Sequence, residues 1–345
     1  MAEHPTAERP PLISIVLSFR NEEEVIPELM RRLRQVLARL PVNYELIFVN
    51  DASTDGSLQL LLREAKEDPR VKIINLSRRF GVAEGFWAGM RYARGAAVIT
   101  MDTDLQDPPE VIPELVEKWR GGAEVVYTVR TRRKGESRGK VLLTRLAYKI
   151  IRLVASEDLP VESGDFKLMG RRVVDQLLRL NEKDPYLRGL VTWMGFKQTP
   201  VYYQREARFK GRTHFPLLRS KGPILTFMTG LTSLSVVPLI AFLALGLLLT
   251  AAAAILGLVF CAMKIFALGA PQWWWWLITA LGLFSGVQLM GIGTVGLYLG
   301  RVYKDVRNRP RYIVESTIGF EAEAGRAEAP TGQSPAASDV RPDGQ

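Results

Sequence analysis

The sequence is poor in the two residue types that most often bind soft metals or form covalent crosslinks. In 345 residues it has one cysteine, Cys261, and two histidines, His4 and His214. One cysteine excludes a disulfide within the chain, and so few cysteines and histidines exclude a Cys/His zinc site. With His4 near the start of the chain, the histidines also give no reliable basis for a Ser-His-Asp triad.

Charge is scarce in one long part of the chain. Between Ile224 and Tyr298, Lys264 is the only charged residue. Two uncharged stretches, 232–258 and 274–299, are each long enough for a helix to cross a hydrocarbon layer of ~30 Å. The sequence therefore predicts a transmembrane hairpin of two helices within residues 231–300. The alternative is a pair of buried core helices in a soluble protein.

Basic residues flank this apolar region on both sides and predict its orientation. Before it stand Arg208, Lys210, Arg212, Arg219 and Lys221, and after it Arg301, Lys304, Arg307, Arg309 and Arg311. Because basic flanks stay on the cytoplasmic side, both ends of the hairpin are expected there. The N-terminus has no apolar core of the signal-peptide kind. We therefore expect a multi-pass protein of the inner (cytoplasmic) membrane whose catalytic domain is cytoplasmic.

Composition divides the chain into six parts. These are a disordered N-terminus at 1–11, a soluble domain at 12–215, an interfacial amphipathic segment or plain linker at 216–230, the hairpin at 231–300, a basic cytoplasmic segment at 301–315 and a disordered tail at 316–345. The formal net charge is +10, and the basic residues cluster beside the apolar region. This position favours anionic lipids or phosphate ligands over nucleic acid.

Three glycines within the second apolar stretch spell GxGxxG, the dinucleotide-binding fingerprint. Gly291, Gly293 and Gly296 follow no predicted strand, so the context that gives the fingerprint its meaning is missing. Small residues at this spacing allow close helix packing in lipid. The pattern indicates contact between the two spans or between copies of the chain in a homo-oligomer.

The soluble domain alternates apolar, β-rich runs with helical patterns. Strands are predicted at 12–19, 44–50, 71–76, 96–101 and 124–129, and helices at 23–40, 57–66, 82–93 and 109–120. This alternation predicts an α/β fold with a mostly parallel sheet. Ligands of such sheets lie beyond the carboxyl ends of the strands. Polar residues stand at those ends: Asn21 and Glu22, then Asp51, then Arg78, then 102–107.

The strongest cluster is the DTDLQD sequence at 102–107. Asp102 and Asp104 are one residue apart, so in an extended turn both carboxylates reach the same ion, and Gln106 adds a neutral oxygen. Oxygen ligands at a strand end suit Mg²⁺ or Mn²⁺ that also holds a diphosphate. The alternative is a solvated acidic turn or a helix cap, with Asp107 preceding two prolines.

Two further groups of residues suit a nucleotide and a phosphate. Asp51 can accept the ring N–H of a uracil, whereas Asp55 and Gly56 are typical of a turn and a helix cap. Basic residues crowd 130–140, and arginine forks grip phosphate oxygens. Arg130, just beyond the fifth predicted strand, and Arg138 are the candidates for binding a diphosphate or an acceptor phosphate. A solvated basic loop near anionic lipid explains the others.

The order and combination of several motifs resemble one family. They are SFRNEEEVIPEL (18–29), VNDASTDGS (49–57), NLSRRFGVAEGFWAG (75–89), MDTDLQDPPEVIPEL (101–115), ESGDFKLMGRRVVD (162–175) and YLRGLVTWMGF (186–196). Over residues 12–311 the chain resembles family 2 glycosyltransferases of the polyprenyl-phosphate branch. That branch includes dolichol-phosphate mannose synthases and bacterial bactoprenol-phosphate glucosyltransferases.

The resemblance implies a Rossmann-like GT-A fold, an inverting transfer and a set of site residues. The metal and diphosphate site that it implies consists of Asp102, Asp104 and Gln106, and the implied nucleotide-sugar contacts are Glu22, Asp51, Arg78, Asp102 and Asp104. The implied acceptor-phosphate contacts are Arg130, Arg138 and Arg208. The resemblance also implies catalytic roles for Asp104, Arg130 and Asp165. Asp165 matches an acidic position that is often regarded as the catalytic base in this family. Two departures stand out: Asn50-Asp51 replaces a common Asp-Asp, and Thr213-His214 replaces a common Ser-Lys.

The expected reaction transfers a hexose, most simply glucose from UDP-glucose, to polyprenyl (undecaprenyl or dolichyl) phosphate at the cytoplasmic membrane face, for glycan or lipid modification. Another sugar is the first alternative: mannose from GDP-mannose, galactose, an N-acetylhexosamine, a uronic acid or a 4-amino-pentose. A non-catalytic membrane protein that binds nucleotide sugars is the alternative of another class. The sequence contains no QxxRW motif, which argues against a processive polysaccharide synthase.

Overall fold

In the residues that the structure describes, the protein is an α/β structure built on an eight-stranded sheet. The computed structural model describes residues 10–133, 163–180, 182, 187–205 and 273–320, together with scattered positions between 239 and 259. The strands are β1 (Leu12–Phe19), β2 (Asn43–Asn50), β3 (Val71–Leu76), β4 (Ala97–Asp102), β5 (Val125–Arg133), β6 (Ser163–Gly170), β7 (Gln198–Arg205) and β8 (Val314–Ile318). Their order in the sheet is β7-β5-β6-β4-β1-β2-β3-β8.

Most neighbouring strands are parallel. β1 pairs in parallel with β2 and β4, β2 with β3, and β5 with β7. Two strands run the other way: β6 is antiparallel to β4 and β5, and β8 is antiparallel to β3. The carboxyl ends of β1, β2, β3, β4 and β5 therefore meet at one edge of the sheet, as the predicted mostly parallel arrangement requires.

Helices cover both faces of the sheet. They are α1 (Ile26–Leu37), α2 (Ser57–Glu67), α3 (Val82–Tyr92), α4 (Ile112–Arg120), α5 (Arg171–Arg179) and α6 (Leu187–Trp193). A longer helix, α7 (Trp273–Val306), follows later in the described part of the chain. One buried apolar cluster lies between the sheet and α1, α2 and α4, and a second lies between the sheet and α3, α5 and α6. Because both faces are covered, β1 reads as a nearly continuous buried apolar run.

The predicted strands and helices between residues 12 and 129 are all present, with shifted boundaries. The largest change is in the fourth helix, predicted at 109–120. It divides into a 3-10 turn, Pro109–Val111, followed by α4. Pro113 has no N–H to donate to a preceding carbonyl, so it is accommodated in the first turn of α4, where that donor is not needed.

The C-terminal part of the prediction needs a correction. The disordered tail was expected from residue 316, but Ser316, Thr317 and Ile318 belong to β8, which pairs with β3. Val314 and Phe320 pack against the apolar cluster on the α3 side, and Ile318 packs against the other. A five-residue strand is too short to show a clear period in sequence, and only its pairing with β3 and its packing reveal it.

The predicted hairpin is not supported by the structure. The second apolar stretch, 274–299, lies within α7, whereas 216–230 and most of 232–258 fall outside the described residues. In the part of the chain that is described, no helix combines the length and apolar character needed to cross a bilayer.

Candidate active site

The loops after β1 and β2 are joined by side chains on both. Asn21 Oδ1 accepts a hydrogen bond from the Thr54 backbone N–H (2.8 Å), and the Asn21 N–H donates to Ser53 Oγ (3.1 Å). The Glu22 N–H donates to Ser57 Oγ at the start of α2 (2.8 Å), and Glu22 is buried. The two strand ends therefore form one rigid unit at the carboxyl edge.

Asp51 links this unit to the loop that follows β3. The side chain is buried, and its carboxylate accepts hydrogen bonds from the backbone N–H of Phe80 (2.6 Å) and of Gly81 (3.1 Å). Arg78 lies in the same loop and is exposed, with its guanidinium over the Phe80 ring at 4.0 Å. Asp51 thus has a structural role that the sequence did not reveal, and its contact with a nucleotide base stays a prediction.

Backbone strain is concentrated at this edge. Asn21, Ala52 and Leu105 have positive φ angles of 54°, 54° and 57°, and each lies within three residues of the end of β1, β2 or β4. Such conformations are uncommon for residues other than glycine and tend to mark functional sites. Leu105 is fully buried, so the core holds this strained turn in place between Asp104 and Gln106.

Four carboxylates gather around the end of β4. Burial, followed by the charges of Asp107, Asp104 and Asp165, raises the pKa of Asp102 to about 8. Asp104 is also buried and accepts a hydrogen bond from the Gln106 N–H (3.1 Å). Hard oxygen donors with an excess of negative charge fit a divalent cation, which would relieve their mutual repulsion. Within the described residues, no three His, Cys, Asp or Glu side chains are arranged to hold a metal ion by themselves.

Asp107 anchors an arginine, so the interpretation of this residue as a helix cap is wrong. The 3-10 turn that follows has no side-chain cap. Asp107 is fully buried and accepts a hydrogen bond from the Tyr203 hydroxyl, which in turn accepts one from Arg130 Nε (3.1 Å). The Arg130 guanidinium also lies 3.6 Å from the Asp107 carboxylate.

Tyr203 reaches this site because β7 lies beside β5, directly opposite Arg130. Burial and the charge of Asp107 raise the pKa of the Tyr203 hydroxyl, which therefore stays protonated and able to donate. Burial alone would lower the pKa of Arg130, but the charge of Asp107 and the hydrogen bond to Tyr203 outweigh it. The result is a fixed, permanently charged guanidinium in the carboxyl-terminal half of β5.

Asp165, on β6, forms a two-pronged ion pair with Arg188 of α6. The Arg188 Nε and terminal nitrogen donate to the two carboxylate oxygens at 2.9 and 2.7 Å. Burial would raise the pKa of Asp165, but the charge and hydrogen bonds of Arg188, with help from Lys167, hold it well below its usual range. Lys167, two residues along β6, is itself buried, which lowers its pKa to about 8.

The structure brings together part of the predicted set. Asp102, Asp104, Gln106, Arg130 and Asp165 lie around one edge, and Glu22, Asp51 and Arg78 lie in the neighbouring loops of the same edge. Arg138 and Arg208 lie outside the described residues.

Sequence reasoning missed Arg188, Tyr203 and Lys167. Arg188 belongs to the YLRGL motif and Lys167 to the DFKLM motif, but neither motif indicates the role of these residues. Nothing in the sequence near Tyr203 points to Arg130.

Comparisons with known proteins agree with the family expectation. The model of the family described as "Glycosyl transferase family 2" matches residues 14–178. An uncharacterised glycosyltransferase, YkcC of Bacillus subtilis, is 44% identical over 89% of this chain and 94% of its own length. The uncharacterised glycosyltransferase sll0501 of Synechocystis is 39% identical over 90% and 96%. The bactoprenol glucosyl transferase of Shigella phage SfII is 34% identical over 88% and 98%.

These relatives match nearly the whole chain, and the observed sheet is the GT-A-like, mostly parallel α/β arrangement that the motifs implied. The family and the α/β fold expected from the motifs are therefore confirmed, and the chain belongs to glycosyltransferase family 2.

Proposed function

We propose that this glycosyltransferase moves a hexose from a nucleotide sugar to polyprenyl phosphate. The observation that carries the proposal is the cluster of Asp102, Asp104 and Asp107 beside the buried Arg130. It offers oxygen ligands for a cation and a fixed positive charge for a phosphate within one site. The names of relatives over 30% identical, which include bactoprenol glucosyl transferases of Shigella phages, support a lipid phosphate as the acceptor.

A divalent cation, Mg²⁺ or Mn²⁺, is part of this proposal. Asp102 and Asp104 would hold it, with Gln106 as a neutral neighbour, and it would neutralise charge on the departing nucleoside diphosphate. The raised pKa of Asp102 supports this role, because a carboxylate crowded by like charges gains most from a nearby cation. The nucleotide would lie over the joined loops that carry Glu22, Asp51 and Arg78.

Arg130 is proposed to bind the acceptor phosphate. Its guanidinium is held by Tyr203 and Asp107 before any ligand arrives, so little freedom is lost on binding. Arg138 and Arg208 remain proposed partners of the same phosphate. A preorganised charge of this kind stabilises the charge that develops in the transition state.

Asp165 is proposed to position groups and not to act as a general base. A base works best when its pKa lies near the working pH, whereas Arg188 and Lys167 hold the pKa of Asp165 low. The acceptor phosphate is already anionic, so its oxygen attacks the anomeric carbon without losing a proton. The bond from that carbon to the diphosphate oxygen breaks as the new bond forms, and the diphosphate leaves with the electron pair, which inverts the anomeric centre.

Glucose from UDP-glucose is the first sugar to test, since several relatives are named glucosyl transferases. Galactose, an N-acetylhexosamine, a uronic acid, a 4-amino-pentose and mannose from GDP-mannose are the other sugars in the proposal. Neither the loops proposed to contact the nucleotide nor the acidic cluster at the end of β4 discriminates among hexoses.

Membrane association is proposed through α7, at the cytoplasmic face of the inner membrane. Large apolar side chains on α7, such as Leu281, Phe284 and Leu289, are more than half exposed. An exposed apolar helix directly before the exposed basic residues Arg307 and Arg309 suits an anionic membrane surface. A multi-pass hairpin and a homo-oligomer are further parts of this proposal.

The proposal is tested by incubating detergent-extracted protein with undecaprenyl phosphate, Mg²⁺ or Mn²⁺ and a panel of nucleotide sugars. The expected result is one polyprenyl-phosphate sugar, identified by its mass, with release of the nucleoside diphosphate. Asp104→Asn serves as the control and should release little of it. Binding of a nucleotide sugar without turnover on any lipid phosphate would favour the non-catalytic alternative.

A further inference from the structure

The strand that follows the apolar helix, β8, is joined to the predicted nucleotide loop by a chain of side-chain hydrogen bonds. Ser316 of β8 lies opposite Asn75 of β3. The Asn75 side-chain nitrogen donates to Ser316 Oγ (2.9 Å), although these residues are 241 positions apart in sequence. Asn75 is buried, so this hydrogen bond satisfies an amide that has little access to water.

The chain of hydrogen bonds continues from β3 to the end of β2. Asn50 Nδ2 donates to Asn75 Oδ1 (3.1 Å), and Asn50 Oδ1 accepts from the Ser53 backbone N–H (2.9 Å). Both amides thus use a donor on one side and an acceptor on the other, which fixes the orientation of each. The last link holds the backbone of the loop that carries Asp51 and the strained Ala52.

The segment around β8 is firmly attached to the domain, as a positioning element must be. The Ile313 carbonyl accepts a hydrogen bond from the Ser77 N–H (3.0 Å), in the loop that contains Arg78. The Arg311 guanidinium lies over the Trp87 ring at 4.0 Å and donates to the Leu180 carbonyl (2.7 Å). Phe320 makes an edge contact with Tyr92, with 5.2 Å between ring centroids.

We infer that Ser316 is a positioning residue for the nucleotide site, acting through Asn75 and Asn50 on the loop that begins at Asp51. β8 then supports the substrate site from the neighbouring strand β3, although it lies beyond the apolar helix in sequence. The inference rests on the proposed function, in which this loop contacts the nucleotide of the donor sugar. It goes beyond that function by assigning a role to the C-terminal segment.

The test compares Ser316→Ala with Ser316→Thr, which keeps the hydroxyl, and with Thr317→Ala, a neighbouring change on the same strand. In the full chain, the Kd for UDP with Mg²⁺ and the KM for the nucleotide sugar should rise about 3- to 10-fold in Ser316→Ala. That range corresponds to about 0.7–1.4 kcal/mol, the usual net value of one hydrogen bond. The kcat of Ser316→Ala should stay at the wild-type value. Ser316→Thr should keep the wild-type Kd and KM, because it retains the hydroxyl. Thr317→Ala should change neither constant.

Hydrogen exchange of the Ser53 amide, measured without ligand, separates this inference from the proposed function. Faster exchange at Ser53 in Ser316→Ala, with Thr317→Ala unchanged, would support the chain of hydrogen bonds even if wild-type protein failed to bind UDP. That failure would count against the proposed function alone. Unchanged exchange at Ser53, or equal losses of UDP affinity in Ser316→Ala and Thr317→Ala, would overturn the inference.

Discussion

The two ends of the same sheet treat buried carboxylates in opposite ways. At the amino ends of the strands, Glu45 is surrounded by donors, and its pKa is lowered. At the carboxyl ends, Asp102 is surrounded by other acids, and its pKa is raised to about 8. Both side chains are in the same domain, so the difference arises from the neighbours that the fold supplies.

The amino end is a closed network. The Glu45 carboxylate accepts hydrogen bonds from Lys72 Nζ (2.7 Å), from the Arg94 N–H (2.8 Å) and from Ser14 Oγ, which itself accepts from the Gly95 N–H (2.8 Å). Burial would raise the pKa of Glu45, but these hydrogen bonds and the charge of Lys72 outweigh it. A buried charge with all its partners stabilises the fold.

The carboxyl end is an open network. Its acids repel one another, and its loops contain the strained residues Ala52 and Leu105. Like charges held together in this way cost folding free energy and tend to persist where a ligand needs them. The carboxyl edge therefore has the repelling charges and the strain that the proposed cation and phosphate site requires, whereas the network at the amino edge contributes to stability.

Glu45→Ala should break the amino-end network and give the largest effect. Removing one partner of a buried ion pair typically lowers the free energy of unfolding by about 3–5 kcal/mol. Urea denaturation of the detergent-extracted protein measures the loss. The exposed Glu67→Ala should change stability by no more than about 0.5 kcal/mol, and the folded fraction of Glu45→Ala should keep the wild-type KM. A loss of affinity without a loss of stability would contradict the division between the two edges.

Asp104→Asn should have the reverse effect, with lost activity and unchanged or higher stability. Loss of one preorganised charge contact typically lowers turnover about 10²–10³-fold, while one source of repulsion is removed from Asp102. Nucleotide release and thermal melting measure the two effects. Added Mg²⁺ or Mn²⁺ should raise the melting temperature of the wild type more than that of the variant. As a control, Asp175→Asn on α5 should keep wild-type turnover.

The sequence predicted those parts of the fold and the site whose pattern lies within a single segment of the chain. The alternation of β1 to β5 with four helices was readable because the apolar period and turn residues lie within each segment, and the acids at 102–107 follow directly from it. Tyr203 and Arg188 could not be assigned, since they reach the site only through the pairing of β7 with β5 and the packing of α6.

The closed network was also invisible in sequence. Glu45 looked like one polar residue in an apolar strand, and its partners Ser14, Lys72 and Arg94 come from three other segments. β8 was missed for the same reason, because its five residues acquire meaning only beside β3.

Asp165→Asn sharpens the comparison within the carboxyl edge, since the Asp165 carboxylate lies 2.7 Å from the Arg188 guanidinium, whereas that of Asp107 lies 3.6 Å from Arg130. We expect it to lower turnover less than Asp104→Asn, and by less than the ~10² that loss of a general base typically costs. Because the pKa of Asp165 is held low, its ionisation should not be visible in the pH–rate profile above pH ~5. Equal losses in the two variants, or an acid limb that disappears in Asp165→Asn, would restore the base role.

Lys72→Met should give the smallest effect of these variants. It tests whether the pairing of Lys72 with Glu45 raises or lowers the stability of the fold. The lowered pKa of Glu45 means that its pairing stabilises the fold above the unfolded pKa of about 4.3, and that this stability is lost as the pH falls through the folded value. The variant should therefore lose about 1–2 kcal/mol at pH ~7. The difference from wild type should shrink as the pH falls through the lowered pKa of Glu45, because Glu45 then becomes protonated in both proteins.

Urea denaturation at several pH values between ~3.5 and ~7 measures this difference. The exposed Lys66→Met on α2 is the matched control, since it removes the same charge from the same part of the chain without a described partner carboxylate. It should change stability little at any pH. A loss in Lys72→Met that stays constant across the range would mean that Lys72 acts through contacts other than Glu45, such as that of its ammonium with the Phe320 ring (5.2 Å), and the amino edge would then owe less to its charged pair than the geometry indicates.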